Sequence, residues 1–206
     1  MSIRAHPWLN PKLFVFSAVC PLPFAVFYMR LITELFRTPN RRIAVCALFI
    51  IAVDQLTKAL VLNTLGFEQE KIIIPGFFKF VHWVNTGAAW SLFSNRNGLL
   101  AGVAITALIA LFLLRRHFNV HTVLGQIALG LIFGGIIGNL IDRLLPSRHH
   151  VIDFLYFYLQ QRGGTEKGFP AFNIADSAIC TGVALVFIIT WKAEHGPRPL
   201  ESTGVK

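Results

Sequence analysis

Residues 130–158 read GLIFGGIIGNLIDRLLPSRHHVIDFLYFY. The first part is an apolar run with Gly130, Gly134 and Gly138 at four-residue spacing. That spacing puts the glycines on one helix face, smooth enough for a neighbouring backbone to approach closely, and packing within a bundle is favoured over dimerisation. Where the run ends, the chain carries Asp142, Arg143, His149, His150 and Asp153. A charge deep in a bilayer costs about 2.5–3.5 kcal/mol on insertion scales, so acids persist there only against a protein interior or a wet cavity.

The rest of the chain supports a membrane setting. It has 206 residues, 54% hydrophobic and 14% charged, with a mean hydropathy of +0.60, well above what a soluble core requires. The formal charge of +9 is compatible with nucleic acid or an anionic surface until the positions are read. Arg37, Arg41 and Arg42 precede one apolar run, Arg115 and Arg116 end another, and Lys192 and Arg198 follow the last. This is charge flanking membrane spans, and it excludes a nucleic-acid stripe. Cys20, Cys46 and Cys180 have no metal or redox spacing and read as small core residues.

A spanning helix needs about 20 mostly apolar residues. Four segments come close, at residues 43–62, 98–114, 123–141 and 172–191. Between the second and third lies only RRHFNVHT, whose arginines place that turn, and with it both ends of the four-helix unit, in the cytoplasm. The two long connections then face outward. The first contains KIIIPGFFKFVHWVN, whose aromatic and β-branched residues predict strands, hence a small sheet at the outer interface. Trp83, Trp90, Phe77 and Phe78 suit that depth.

Before the first span, LFVFSAVCPLPFAVFYM is apolar but interrupted by Pro21 and Pro23, without a clear cleavage site. It is read as an extra span, an interfacial segment or untranslated sequence, with Met29 an alternative start.

Four aspartates converge on the outer face: Asp54 in the outer half of the first span, Asp142 ending the third, Asp176 beginning the fourth, and Asp153 in the loop between those two. Asp54 has Lys58 one turn further on. Asn139 with Asp142 and Arg143, and Asn173 with Asp176, are spaced to share helix faces, giving one inward polar patch. Two carboxylates close together in a partly dry site share one proton and serve as acid and base at once. For Asp142 and Arg143 a helix-end ion pair is favoured over direct chemistry, and for Asp54 a salt bridge to Lys58 weighs equally with a supporting role. His149 and His150 with Asp153 suggest a metal, but no further ligand stands in a comparable segment. Ser91 and Ser177 lack an evident lysine partner among Lys58, Lys71 and Lys79.

Taken in order, VDQLTKALV (53–61), VNTGAAWSLF (84–93), GNLIDRL (138–144), VIDF (151–154) and FNIADSAI (172–179) resemble the lipoprotein signal peptidase family, signal peptidase II. Each piece is weak alone; five in sequence are specific. The resemblance implies an α-helical membrane protein of the bacterial inner membrane, with four transmembrane helices and a small β-cradle on the outer, periplasmic side. It implies an aspartic endopeptidase without cofactor or metal, whose partners are membrane lipids and diacylglyceryl-modified prolipoproteins cut on the amino side of the lipidated cysteine. Asp153 and Asp176 match the catalytic pair. Asp54, Lys58, Asn85, Gly87, Asn139, Asp142, Arg143 and Asn173 match positions that support the site or hold substrate.

The implied organisation is an extension over residues 1–42, a peptidase domain over 43–192 and a cytoplasmic tail over 193–206, acting as a monomer. Departures from the family pattern are the extension, Trp90 in place of phenylalanine, and the insertion-like QQRGGTEKG at 160–168. The rival reading is a small ion or solute transporter, which predicts acids spread through the membrane depth.

Overall fold

The computed structural model describes residues 22–87, 93, 95–118, 121–161 and 163–195. The chain divides into Met1–Glu34 and Leu35–Lys206. The first unit carries most of helix α1 (Leu22–Leu35), with Pro23 in its first turn, where a missing N–H has no helical partner to lose. Val26, Phe27, Tyr28 and Met29 of α1 are exposed.

Among its described residues the second unit contains four helices long and apolar enough to cross a membrane: α2 (Pro39–Thr64), α3 (Asn97–Leu114, extended by a 3-10 turn at Arg115–His117), α4 (Val123–Leu144) and α5 (Ile174–His195). Thr38 caps α2 by accepting from Arg41 N at 3.4 Å, with Pro39 at the first helical position. Thr122 caps α4 through Gly125 N at 3.1 Å. The expected fourth span begins two residues too early: Phe172 and Asn173 precede α5, because Asn173 spends its side chain capping that helix.

Helix α4 is the most buried of the four and packs against α2, α3 and α5. Its glycines make this possible. A methyl group on Gly134 would lie 2.8 Å from the Ala47 carbonyl of α2, and one on Gly138 would lie 2.7 Å from Asp54 Oδ2. Helix α3 is apolar all round and buries only Leu100 and Ala101, as a lipid-facing helix does.

The strands β1 (Glu70–Ile74), β2 (Phe78–Asn85), β3 (Val151–Gln160) and β4 (Glu166–Gly168) form one antiparallel sheet in chain order. The β1–β2 hairpin arises from KIIIPGFFKFVHWVN as expected. Asp153 lies not in a loop but on β3. The strand shows no apolar–polar alternation because Val151, Ile152, Asp153 and Phe154 are all buried, so the period-2 signal is absent. Ile152 and Phe154 pack with Val61 of α2, seating the sheet on the end of that helix.

Between Phe80↔Leu155 and Trp83↔Asp153, β2 advances three residues while β3 advances two. This β-bulge, beside the functional residues, places Trp83 opposite Asp153.

Candidate active site

Asp153 from β3 and Asp176 from the first turn of α5 open on one cavity of about 820 Å³. Asn85, Gly87, Trp83, Phe169, Phe172 and Cys180 contribute to its walls. Each of the four carboxylate oxygens accepts an amide hydrogen. Asp153 Oδ1 accepts from Asn173 Nδ2 at 2.8 Å and Oδ2 from Asn85 Nδ2 at 2.9 Å. Asp176 Oδ1 accepts from Asn139 Nδ2 at 2.7 Å and Oδ2 from Asn173 N at 3.1 Å.

These donors are neutral, and among the described residues the pair has no directly bonded cation that would force both groups to ionise. Burial first, and the Asp176 carboxylate second, push Asp153 from 3.8 up to about 7; its hydrogen bonds to Asn85 and Asn173, and the more distant Lys58, pull less strongly the other way.

Behind the pair lies an ionic cluster in which Asp54, Lys58 and Asp142 are fully buried. Lys58 Nζ sits 2.8 Å from Asp54 Oδ2, 2.6 Å from Asp142 Oδ2 and 3.1 Å from Asn139 Oδ1. Asp142 also pairs with Arg148 and accepts from Gln55 Nε2 at 3.2 Å. Two carboxylates thus face two cations, the balance a buried cluster needs. Asp54 Oδ1 accepts from Ala175 N at 3.0 Å, so a side chain of α2 satisfies an N–H in the first turn of α5. Lys58 reaches the carboxylate pair through Asn139, whose Oδ1 it holds while Asn139 Nδ2 holds Asp176.

The expected helix-end pair of Asp142 with Arg143 is not the arrangement formed. Consecutive residues on a helix point about 100° apart, and Asp142 turns inward to Lys58 while Arg143 turns to the loop after β2. Arg143 Nη2 donates to Gly87 O at 2.6 Å and Nη1 to Asn97 Oδ1 at 3.2 Å. Asn85 Oδ1 in turn accepts from Gly87 N at 2.9 Å. The single polar patch read from the sequence is therefore two linked groups, an ionic brace and an amide-lined carboxylate pair.

Other expectations change as well. Cys46 is half-buried between α2 and α4, whereas Cys180 is exposed and lines the cavity, because its helix face is not covered by another helix. Ser177 Oγ donates to the Asn173 carbonyl at 2.9 Å. Trp90, Ser91 and Cys20 lie outside the described residues. His149 adopts a left-handed turn conformation, and among the described residues no group of three or more His, Cys, Asp or Glu is placed to hold a metal. Gln55, Asn97 and Arg148 were not singled out from sequence. Gln55 stands inside VDQLTK and could have been found there, but Arg148 meets Asp142 only through the turn that follows α4.

The profile of the family described as Signal peptidase (SPase) II matches residues 46–192. The chain belongs to the signal peptidase II family. A lipoprotein signal peptidase of Syntrophotalea carbinolica is 37% identical over 155 residues, covering 74% of this chain and 92% of that protein. One of Symbiobacterium thermophilum is 40% identical over 145 residues, covering 70% and 90%. A bacterial membrane enzyme solved in meso at 2.3 Å superposes with a TM-score of 0.64 at 30% identity, covering 80% of this chain and 94% of that one. A second, at 1.9 Å, gives 0.59 at 32% identity, covering 73% and 92%. As a signal peptidase II, the chain is a multi-pass peptidase of the bacterial inner membrane, and the family match takes in both aspartates of the cavity, the three asparagines bonded to them and the whole ionic brace.

Proposed function

We propose that this signal peptidase II is an intramembrane aspartic endopeptidase that removes signal peptides from diacylglyceryl-modified prolipoproteins, cutting on the amino side of the lipidated cysteine. Asp153 and Asp176 are its catalytic pair. The carrying observation is that a buried carboxylate, Asp153, and a half-buried one, Asp176, held by neutral amides on all four oxygens, open together on one cavity.

In this mechanism one carboxylate takes a proton from water as the water oxygen attacks the scissile carbonyl. The protonated partner hydrogen-bonds the developing oxyanion, then gives its proton to the departing amine as the C–N bond breaks. Asp153, pushed up to about 7, can hold the shared proton at neutral pH, where an ordinary carboxyl has lost it. Asn85, Asn139 and Asn173 orient the pair, Arg143 holds the loop at Gly87, and Asp54, Lys58 and Asp142 keep the helix ends fixed.

The flanking arginines support cytoplasmic ends and a site toward the outer face. The lipidated cysteine then enters between helices from the outer leaflet, its acyl chains staying in hydrocarbon while the peptide reaches the carboxylates. One chain carries both acids, so a monomer suffices. Asp142 lies in the last turn of α4, Asp176 in the first turn of α5, and Asp54, in the C-terminal half of α2, is joined to both helix ends through Lys58 and Ala175 N. This clustering supports the peptidase over a transporter needing acids through the membrane depth.

The test is to incubate purified protein with a lipidated prolipoprotein, beside Asp153→Asn and Asp176→Asn. Each variant is expected to fold and to lose at least about 10³-fold in rate, the scale of acid–base catalysis. Normal processing by either variant removes that aspartate from the mechanism.

A further inference from the structure

We propose that the 160–168 hairpin is a strap that sets the substrate-facing wall of the cavity, and that Lys79 is the latch holding it, a positioning residue for substrate capture. The proposal rests on the peptidase reading above.

Lys79 of β2 is buried, 3% exposed, although it is charged. Its Nζ lies 2.6 Å from Glu70 Oε2 of β1 and 2.7 Å from Glu166 Oε2 of β4, over the ring faces of Tyr156 and Tyr158 of β3. An ammonium removed from water needs such partners, and here they come from three different strands. Lys79 therefore ties both edges of the sheet to its centre.

The two glutamates do different work. Glu70 belongs to a five-residue strand with four residues paired along β2, and β1 is joined to β2 by a tight turn, whereas Glu166 belongs to β4, which has three residues in all. A strand that short has little hold of its own. Its turn contains Gly163 and Gly164, both in left-handed conformations, so the strap closes on permissive residues. Gly168, at its far end, lies so flat on the Tyr156 ring that a side chain there would collide with it.

The chain leaving the strap is the cavity wall. Phe169 N donates to Phe157 O at 2.9 Å, Phe172 stacks on Phe157, and Phe169 and Phe172 both line the cavity. One residue later, Asn173 grips both catalytic carboxylates. The strap thus touches the wall directly and the carboxylates only through the helix cap, which stands on its own bonds. Loosening it is expected to impair capture and spare chemistry.

The test compares Glu166→Gln with Glu70→Gln, each removing one carboxylate from the same lysine, in cleavage of a lipidated prolipoprotein and in trypsin digestion at Lys167. The expected result for Glu166→Gln is a KM raised roughly 3- to 10-fold with kcat within about twofold of wild type, the split that marks lost ground-state binding. Trypsin should cut its strap several-fold faster. Glu70→Gln should match wild type in both. Equal effects of the two variants, an unchanged KM and digestion rate in Glu166→Gln, or a loss confined to kcat would overturn the latch. If wild-type enzyme fails to cleave lipidated substrate, the peptidase reading falls and the capture role falls with it, whereas cleavage with no KM difference sinks the latch alone.

Discussion

Asn173 and Asp176 cap each other across the first turn of α5: Asn173 Oδ1 accepts from Asp176 N at 2.9 Å, and Asp176 Oδ2 accepts from Asn173 N at 3.1 Å. This is a capping box in which the helix-starting acid is also the proposed catalytic one. Asn173 Nδ2 remains to hold Asp153 at 2.8 Å, so the residue that begins the helix also spaces the two carboxylates.

The two duties separate by substitution. Asn173→Ala should lose the cap, about 1 kcal/mol of stability, together with about 10²-fold in cleavage rate. Asn173→Ser can still cap but cannot reach Asp153. It should recover most of the melting temperature measured in detergent and little of the activity; recovery of both would mean that the Asp153 bond is idle.

Asp153 makes stability depend on pH. Its value is raised from 3.8 to about 7, chiefly by burial and next by Asp176. Between those values the folded chain keeps a proton that the unfolded chain releases, so folding loses stability as pH rises through that window. Asp153→Asn should remove this slope. Thermal melts of the two proteins should diverge from about pH 4 and run parallel above about pH 7, while wild-type kcat falls on the alkaline side. Superimposable melts across that window would count against a buried, protonated Asp153.

Lys58 pairs with two carboxylates, each fully shielded from solvent. Lys58→Met should cost about 3–5 kcal/mol, the penalty of leaving buried charge unpaired. Adding Asp54→Asn and Asp142→Asn should recover much of that loss, because Arg148 is partly exposed and can turn to water. A triple variant as unstable as the single one would locate the cost in packing.

Gly135 faces Ala175 and Ile179, and a methyl group there would collide with the Ala175 carbonyl. Gly135→Ala should cost about 1–3 kcal/mol through overpacking. It should also lower activity, since Ala175 directly precedes Asp176; unchanged cleavage would show that the first turn of α5 tolerates displacement.

The helices were legible in the sequence because a span is written as length and apolarity, and the β1–β2 hairpin because half-buried strands show their composition. Asp54 and Lys58 were legible as a pair because they lie one turn apart. Strand β3 was not, since burial on both faces erases alternation. Nor was the division between Asp142 and Arg143: adjacent letters gave no sign that one faces Lys58 and the other Gly87. Asn97 with Arg143, and Lys79 with Glu166, join residues far apart in the chain, Arg148 reaches Asp142 only through the turn after α4, and only the folded sheet and helix ends bring these groups together.

The Asp54–Lys58 salt bridge is made within α2 alone, between residues four apart. That helix can therefore enter a bilayer with its acid already neutralised, before any other span arrives. Asp142 has its nearby cation, Arg148, beyond the end of α4, and meets Lys58 only where α4 lies against α2. Helix α2 thus balances its own acid, whereas Asp142 draws on one cation from α2 and one from the turn after α4, so the brace is complete only where those segments meet.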